Sequence, residues 1–288
     1  MAFGSLDEIL HMCTEKGIPF WKAVLRDDMN ERNVSEEESR RQMEELWDAM
    51  LLAASLYDQK LQSRSGLVGG DGGKMQAYLE KEEPLSGPFV GKVIAGALQM
   101  GESNACMKRI VAAPTAGACG VLPAVLVPCF MEKKAGLDEI TQALYVAAGI
   151  GQVIAVRASI AGASGGCQAE IGSASAMAAG ALVHVRGGSP RQIAHASAMA
   201  MKNLLGLVCD PVAGLVEVPC VKRNVVGAVN ALAAADMALA GIESRIPPDQ
   251  VFDAMKEVGD RMVTELKETG EGGLAGTPAG REIAARIK

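Results

Sequence analysis

A chain of 288 residues, 49% hydrophobic and 22% charged, can bury a full core without disulfides and is too apolar to be disordered. Its 28 basic and 34 acidic residues give a formal charge of −6 with no long basic run, which argues against a nucleic-acid binder. Only 3% of the residues are aromatic, so the apolar mass is Ala, Val, Leu, Ile and 15 Met, and closely packed helices are expected.

In chain order, Ser5 with Glu8 reads as a capping box, followed by a stripe of Leu6, Ile9, Leu10 and Cys13. Ile18–Pro19 restarts the chain into a second helix carrying Trp21, Val24 and Leu25. Ser35 with Glu38 is another capping box. Met43, Leu46, Trp47, Met50, Ala54, Tyr57 and Leu61 then follow at helical spacing, predicting one long amphipathic helix. SGLVGGDGG (65–73) predicts a mobile loop or turn, and EKEEPLSGP (80–88) a second break. A soft boundary near residue 80 divides an N-terminal helical segment, 1–80, from a compact unit, 81–288.

From Val93 the chain turns to small residues with few charges. Helices are expected at 89–104, 120–132, 138–158, 169–185, 190–204, 222–241 and 248–268. Asp138, Ser189–Pro190 and Pro247–Pro248 mark three of the starts. No run alternates with the period of two that a sheet needs, so the fold class is all-α. The Gly-rich tail 269–280 suits either a lid or a disordered terminus. Residues 110–131 carry no charge, and 140–183 carry only Arg157 and Glu170. These stretches are rich in Ala, Gly and Pro, which gain little from lipid, so buried core helices are expected rather than membrane spans.

Gly162-Ala-Ser164-Gly-Gly166 matches the nucleophile-elbow pattern, and Glu170 with His184 or His195 nominally completes a triad order. No strand–helix alternation surrounds it. No phosphate-binding glycine loop is present. Lys92, Lys108, Lys202 and Lys222 are conceivable Schiff-base lysines, with nothing to select one. The seven cysteines are odd in number and scattered, and MAFGSLDEIL carries two acids where a secretory leader would be basic then apolar. A reducing cytoplasm is therefore expected. Cys13, Cys106, Cys119 and Cys129 sit among apolar neighbours as small core residues. Cys167, Cys209 and Cys220 lie instead in or beside Gly/Pro-rich segments. Such segments suit a metal cluster approached by backbone from several sides, although the absence of a CxxC pair leaves other readings open.

GASGGCQAEIGSASAMAAGAL (162–182) and HASAMAMKNLLGLVCDPVAGLVEVPCVKRN (195–224) resemble the iron–sulfur L-serine dehydratase family, as does NACMKRIVAAPTAGACGVLPAVL (104–126). The resemblance runs from about Gly91 to Gly280, and the length is similar to the alpha subunit of the two-subunit form. It implies a [4Fe–4S] cluster on Cys167, Cys209 and Cys220 and elimination of water from L-serine, giving pyruvate and ammonia. It implies substrate contacts at Ser103, Asn104 and Thr115, the last also readable as a plain helix cap. A related substrate such as L-threonine is the alternative within the family, and a serine hydrolase using Ser164 the alternative outside it.

Single-chain members carry a Ser-Ser-His-Thr stretch whose His is a base candidate, and some end in a cysteine that caps the cluster. Neither feature occurs here, so a separate beta subunit is expected to complete the site. His184 and His195 are expected to be core or helix-surface residues rather than the base. Lys202 and Arg223 flank the cysteine segments and are expected to balance charge.

Overall fold

In a computed structural model, which describes residues 3–132 and 134–287, the chain is all-α, with no strand among the described residues. The helices are α1 (Leu6–Lys16), α2 (Phe20–Arg32), α3 (Glu36–Ser55), α4 (Asp71–Lys81), α5 (Gly87–Ala105), α6 (Val121–Met131) and α7 (Leu137–Arg157). There follow the single-turn α8 (Gly162–Gly165), then α9 (Ser173–Val185), α10 (Pro190–Lys202), α11 (Cys220–Leu239), α12 (Pro248–Arg261) and α13 (Pro278–Ile287).

Local chemistry starts many of them where expected. Ser5 Oγ accepts from Glu8 N–H at 3.1 Å, and the Glu8 carboxylate reaches back to Gly4 N–H at 2.8 Å. Ser35 Oγ accepts from Glu38 N–H. Ser189 and Gln192 form a reciprocal capping box with Pro190 in the first turn of α10. One cap comes from far along the chain: Asp249 of α12 accepts from Leu6 N–H and Asp7 N–H at 2.8 and 3.1 Å.

Four segments depart from the sequence expectation. The helix after Ser35 stops at Ser55, so Tyr57 and Leu61 lie beyond it, and the Tyr57 hydroxyl donates to Glu102 at 2.6 Å. Within the expected 65–73 loop, α4 already begins at Asp71. The buried Glu102 carboxylate caps it by accepting from Asp71 N–H and Gly72 N–H at 2.7 and 3.1 Å. The expected 248–268 helix ends at Arg261, where the chain turns extended at Met262 to pair with a distant loop. The tail carries a further helix, α13, that sequence periodicity did not suggest.

Helix α9 is the centre of the molecule, flanked by α6, α7, α10 and α11. Every residue from Ser173 to Val183 is buried, and most are Ala, Ser or Gly, so neighbours approach α9 closely on every face. At Gly180 a Cβ would fall 2.2 Å from Ile150 Cδ1 of α7, which shows how closely these helices approach. Helix α7 is long and apolar enough to cross a membrane, but 61% of its apolar window is buried against its neighbours, as in a core helix. From residues 110–131, only Val121–Met131 is one continuous α-helix, and it too is largely buried. The apolar core is continuous from Phe3 to Met255, with α2 and α3 packed on α7.

Candidate active site

Three separated segments meet at one end of α9 and α11. The first is the turn before α9. Gly166, at φ +76°, sits where a Cβ would lie 2.9 Å from Leu207 O and 2.7 Å from Met262 Sδ. Both the left-handed backbone and the lack of space require glycine. Cys167 follows, and residues Gln168–Gly172 form a single π-helical turn before α9 proper. Gln168 fixes this turn: its N–H donates to Leu207 O, its Nε2 to Met255 O, and its Oε1 accepts from Gly206 N–H, all at 2.9 Å.

The second segment is the 203–219 loop, which carries Cys209. Cys209 N–H donates to Leu266 O at 2.8 Å, and Glu268 N–H donates to Cys209 O at 2.7 Å. The tail after α12 is thus paired with the cysteine loop. The third segment is the start of α11 at Cys220. Asn224, one turn on, donates to Gly117 O and Cys220 O and accepts from Gly120 N–H. It binds the 115–120 turn to α11.

The thiols of Cys167, Cys209 and Cys220 are electrostatic neighbours. Burial is the first cause of a raised pKa at each: Cys167 is pushed up to about 11 and Cys220 to about 12. Cys209 is pushed up as well, by burial and then by Cys167, Glu170, Glu268 and Cys220. Arg223 works in the opposite direction on Cys167, through its charge and a hydrogen bond. A bound cation would reverse the balance and release protons from all three.

Burial alone does not distinguish these cysteines, since Cys119 is fully enclosed and Cys13 is also buried. The difference is company: Cys119 Sγ faces Met100 O, and Cys13 sits on α1, whereas Cys167, Cys209 and Cys220 face one another and two carboxylates. A carboxylate oxygen of Glu170, Cys209 Sγ and a carboxylate oxygen of Glu268 lie within 4.8 Å of one another, a donor set able to hold a metal. Three soft thiols carried on separately braced backbone suit an iron–sulfur group, with carboxylates rather than a fourth cysteine beside Cys209.

Thr115 enters this site indirectly. Its hydroxyl donates to Glu170 Oε1 at 2.6 Å and makes no cap hydrogen bond to the 3-10 turn after it. Ser103, buried, and Asn104 close α5, just beyond Gly101, whose missing Cβ lets α5 approach Val221 of α11. Arg223 Nη1 donates to Val208 O at 2.7 Å, and Arg223 pairs with Asp210. Lys202 is exposed and has no ion pair among the described residues.

The hydrolase constellation does not form. Ser164 is exposed on α8 and hydrogen-bonds to no histidine. His184 is engaged with Gln142 Oε1 at 3.2 Å, and His195 Nδ1 accepts from Ser244 N–H at 3.2 Å. Lys92 and Lys222 are spent in ion pairs with Glu132 and Asp71. Sequence reasoning passed over Glu170 and Glu268 as parts of the cysteine site. Glu170 carried a signal, being one of two charges in the 44 residues 140–183. Glu268 carried none.

The chain is similar to known proteins over most of its length. The family described as "Serine dehydratase alpha chain" matches residues 15–275, reaching well into the N-terminal helices. The chain is 47% identical over 285 residues to the "Probable L-serine dehydratase, alpha chain" of Bacillus subtilis, covering 99% of this chain and 95% of that one. It is 43% identical to the "L-serine dehydratase, alpha chain" of Peptoniphilus asaccharolyticus, covering 96% and 95%. It is also 40% identical to the "L-serine dehydratase" of Mycobacterium bovis, covering 96% of this chain but 61% of that longer one.

Proposed function

The chain belongs to the serine dehydratase alpha-chain family, and on that footing we propose that it is the catalytic alpha chain of an L-serine dehydratase. It is a lyase. The reaction removes water from L-serine, and the resulting aminoacrylate yields pyruvate and ammonia. Cys167, Cys209 and Cys220 are assigned as the ligands of a [4Fe–4S] cluster. The observation that carries the assignment is the convergence of three buried thiols from three braced segments.

When bound, a cluster with three protein ligands supplies one open, Lewis-acidic iron, which eases loss of a poor leaving group. The chain's own residues prepare that place. Arg223 offsets the charge of Cys167, while Gln168 and Asn224 hold the backbone on either side. Burial of the three cysteines keeps bulk water from the ligands. Thr115 acts through Glu170, and Ser103 with Asn104 is assigned to the substrate on the family resemblance alone. His184 stands at the far end of α9 from Cys167 and bonds Gln142, and His195 accepts from Ser244 N–H, so the base that takes the Cα proton is assigned to a beta subunit. Seven free cysteines are in keeping with a reducing, cytoplasmic setting.

The test is anaerobic purification with and without the beta chain. Iron and sulfide are assayed, then pyruvate from L-serine and 2-oxobutyrate from L-threonine. Cluster-bearing protein that turns over L-serine only with its partner is the expected result. Full turnover by the alpha chain alone removes the partner's role, and protein that is active without iron removes the cluster. Faster turnover of L-threonine reassigns the substrate.

A further inference from the structure

The candidate site contains two carboxylates that the cysteine assignment does not use. Glu170 is largely buried, and burial raises its pKa while Thr115 opposes the rise. Its Oε1 is held by the Thr115 hydroxyl at 2.6 Å. Its Oε2 faces the cysteine pocket: a Cβ on Gly162 would lie 2.8 Å from Oε2 and 3.1 Å from Cys209 Sγ. A Cβ on Gly117 would come within 3.2 Å of Oε1. Two chain segments therefore give up side chains to leave this carboxylate room beside Cys209.

Neither Glu170 nor Glu268 has a cationic partner among the described residues. The guanidinium of the site, Arg223, is committed to Asp210, Val208 O and Cys167. Glu268 is a non-glycine residue at φ +63°, in a tail that uses glycine at 270, 272 and 273. Its carboxylate faces a second carboxylate and a thiol within 4.8 Å. Glu170, largely buried, and Glu268, exposed, together offer acceptors to a compact cation with several N–H donors.

We propose that Glu170 and Glu268 receive the α-ammonium group of the amino-acid substrate and so select amino acids over hydroxy acids. The inference rests on the serine dehydratase reading above. The hydroxyl to be lost and the ammonium sit on neighbouring carbons of serine. An acceptor for the ammonium must therefore stand beside the cysteine ligands, and Glu170 and Glu268 stand beside Cys209. One oxygen of Glu170 is pinned by Thr115, which aims the other. The sign of the charge explains the selection: a 2-hydroxy acid offers no cation to relieve the pair.

The experiment uses the anaerobically purified alpha–beta enzyme carrying Glu170→Gln, Glu268→Gln or Glu268→Gly. Iron content and visible absorption are recorded with steady-state kinetics on L-serine. Inhibition by glycine is compared with inhibition by glycolate, which has a hydroxyl in place of the ammonium. The expected result is a rise in the KM for L-serine of about ten- to a hundredfold, the loss of one or two charge-assisted hydrogen bonds. Glycine inhibition weakens by a similar factor, glycolate inhibition does not, and the cluster spectrum is kept.

Glu268→Gly is the informative variant, because glycine suits φ +63° and removes only the carboxylate. A purely structural role for Glu268 predicts unchanged KM and equal or higher thermal stability. Unchanged KM and glycine inhibition in cluster-bearing Glu268→Gly overturn the proposal, as does a fall in kcat at constant KM in Glu170→Gln. Should Glu170→Gln fail to hold iron, Glu268→Gly decides it. Wild-type enzyme that holds its cluster yet does not act on L-serine is a different result, and it overturns the proposed function itself.

Discussion

Arg223 Nη2 lies 2.8 Å from Asp210 Oδ1, with both side chains nearly enclosed, although the pair is not aligned as a hydrogen bond. Asp210 Oδ2 accepts from Leu274 N–H at 2.7 Å, and Arg223 also reaches Cys167. One ion pair therefore joins the start of α11, the cysteine loop, the Gly-rich tail and a proposed ligand. Asp210→Asn leaves the guanidinium without its counter-charge in a buried place. We expect a loss of about 3–5 kcal/mol, read from the urea unfolding midpoint of the purified chain. A change below about 1 kcal/mol would show that water already compensates Arg223.

Cys209→Ala should abolish the broad visible absorption of the anaerobically isolated enzyme together with its activity. Cys13→Ala should leave both nearly unchanged, since Cys13 packs in α1 among apolar neighbours. An essential Cys13 with a dispensable Cys167 would sink the ligand assignment. Far-UV circular dichroism of Cys209→Ala should retain the helical signal, because the core around α9 is built from apolar contacts.

Gly166→Ala tests whether the backbone before Cys167 sets the ligand. The substitution forces a Cβ onto φ +76° and toward Leu207 O. At φ +76°, ψ −177° the strain costs about 1–3 kcal/mol before any clash. Iron content per chain should fall along with the melting temperature. Gly17→Ala, also at positive φ but with open space around it, serves as the control and should lose stability without losing iron.

His184 gives the fold a pH dependence of known sign. Burial is the main cause that lowers its pKa below 6.5, against weaker opposition from Glu139 and Asp138. The unfolded chain therefore takes up a proton that the folded chain resists. The stability from keeping His184 neutral is complete above pH 6.5 and is lost as pH falls below it. Urea midpoints measured from pH 7.5 down to pH 5.5 should decline. The decline should be shallower in His184→Gln; an identical slope in that variant would assign the effect to other groups.

Removing iron by chelation should leave the helical bundle intact and loosen the loops that converge on the cysteines. Limited proteolysis should then cut within 203–219 or 262–277 before it cuts α7, α9 or α10. The loops are held by a few hydrogen bonds such as Cys209 N–H to Leu266 O, whereas those helices are packed on several sides.

The sequence by itself determined the helical class, most helix starts and the glycine- and proline-rich setting of three cysteines. Those features are local. Ser189 with Gln192 caps its own helix, and glycine and proline around Cys167, Cys209 and Cys220 mark their loops before any packing is known. Tertiary structure decided the rest, because the decisive partners are remote in the chain. Glu102 caps α4 from about 30 residues away, so a Gly-Gly stretch that reads as a loop becomes a helix. The tail leaves α12 at Arg261 to pair with Cys209, which no proline or glycine at 262–268 announces. The same pairing carries Glu268 to Glu170, and only the fold turns two acids 98 residues apart into neighbours of one thiol.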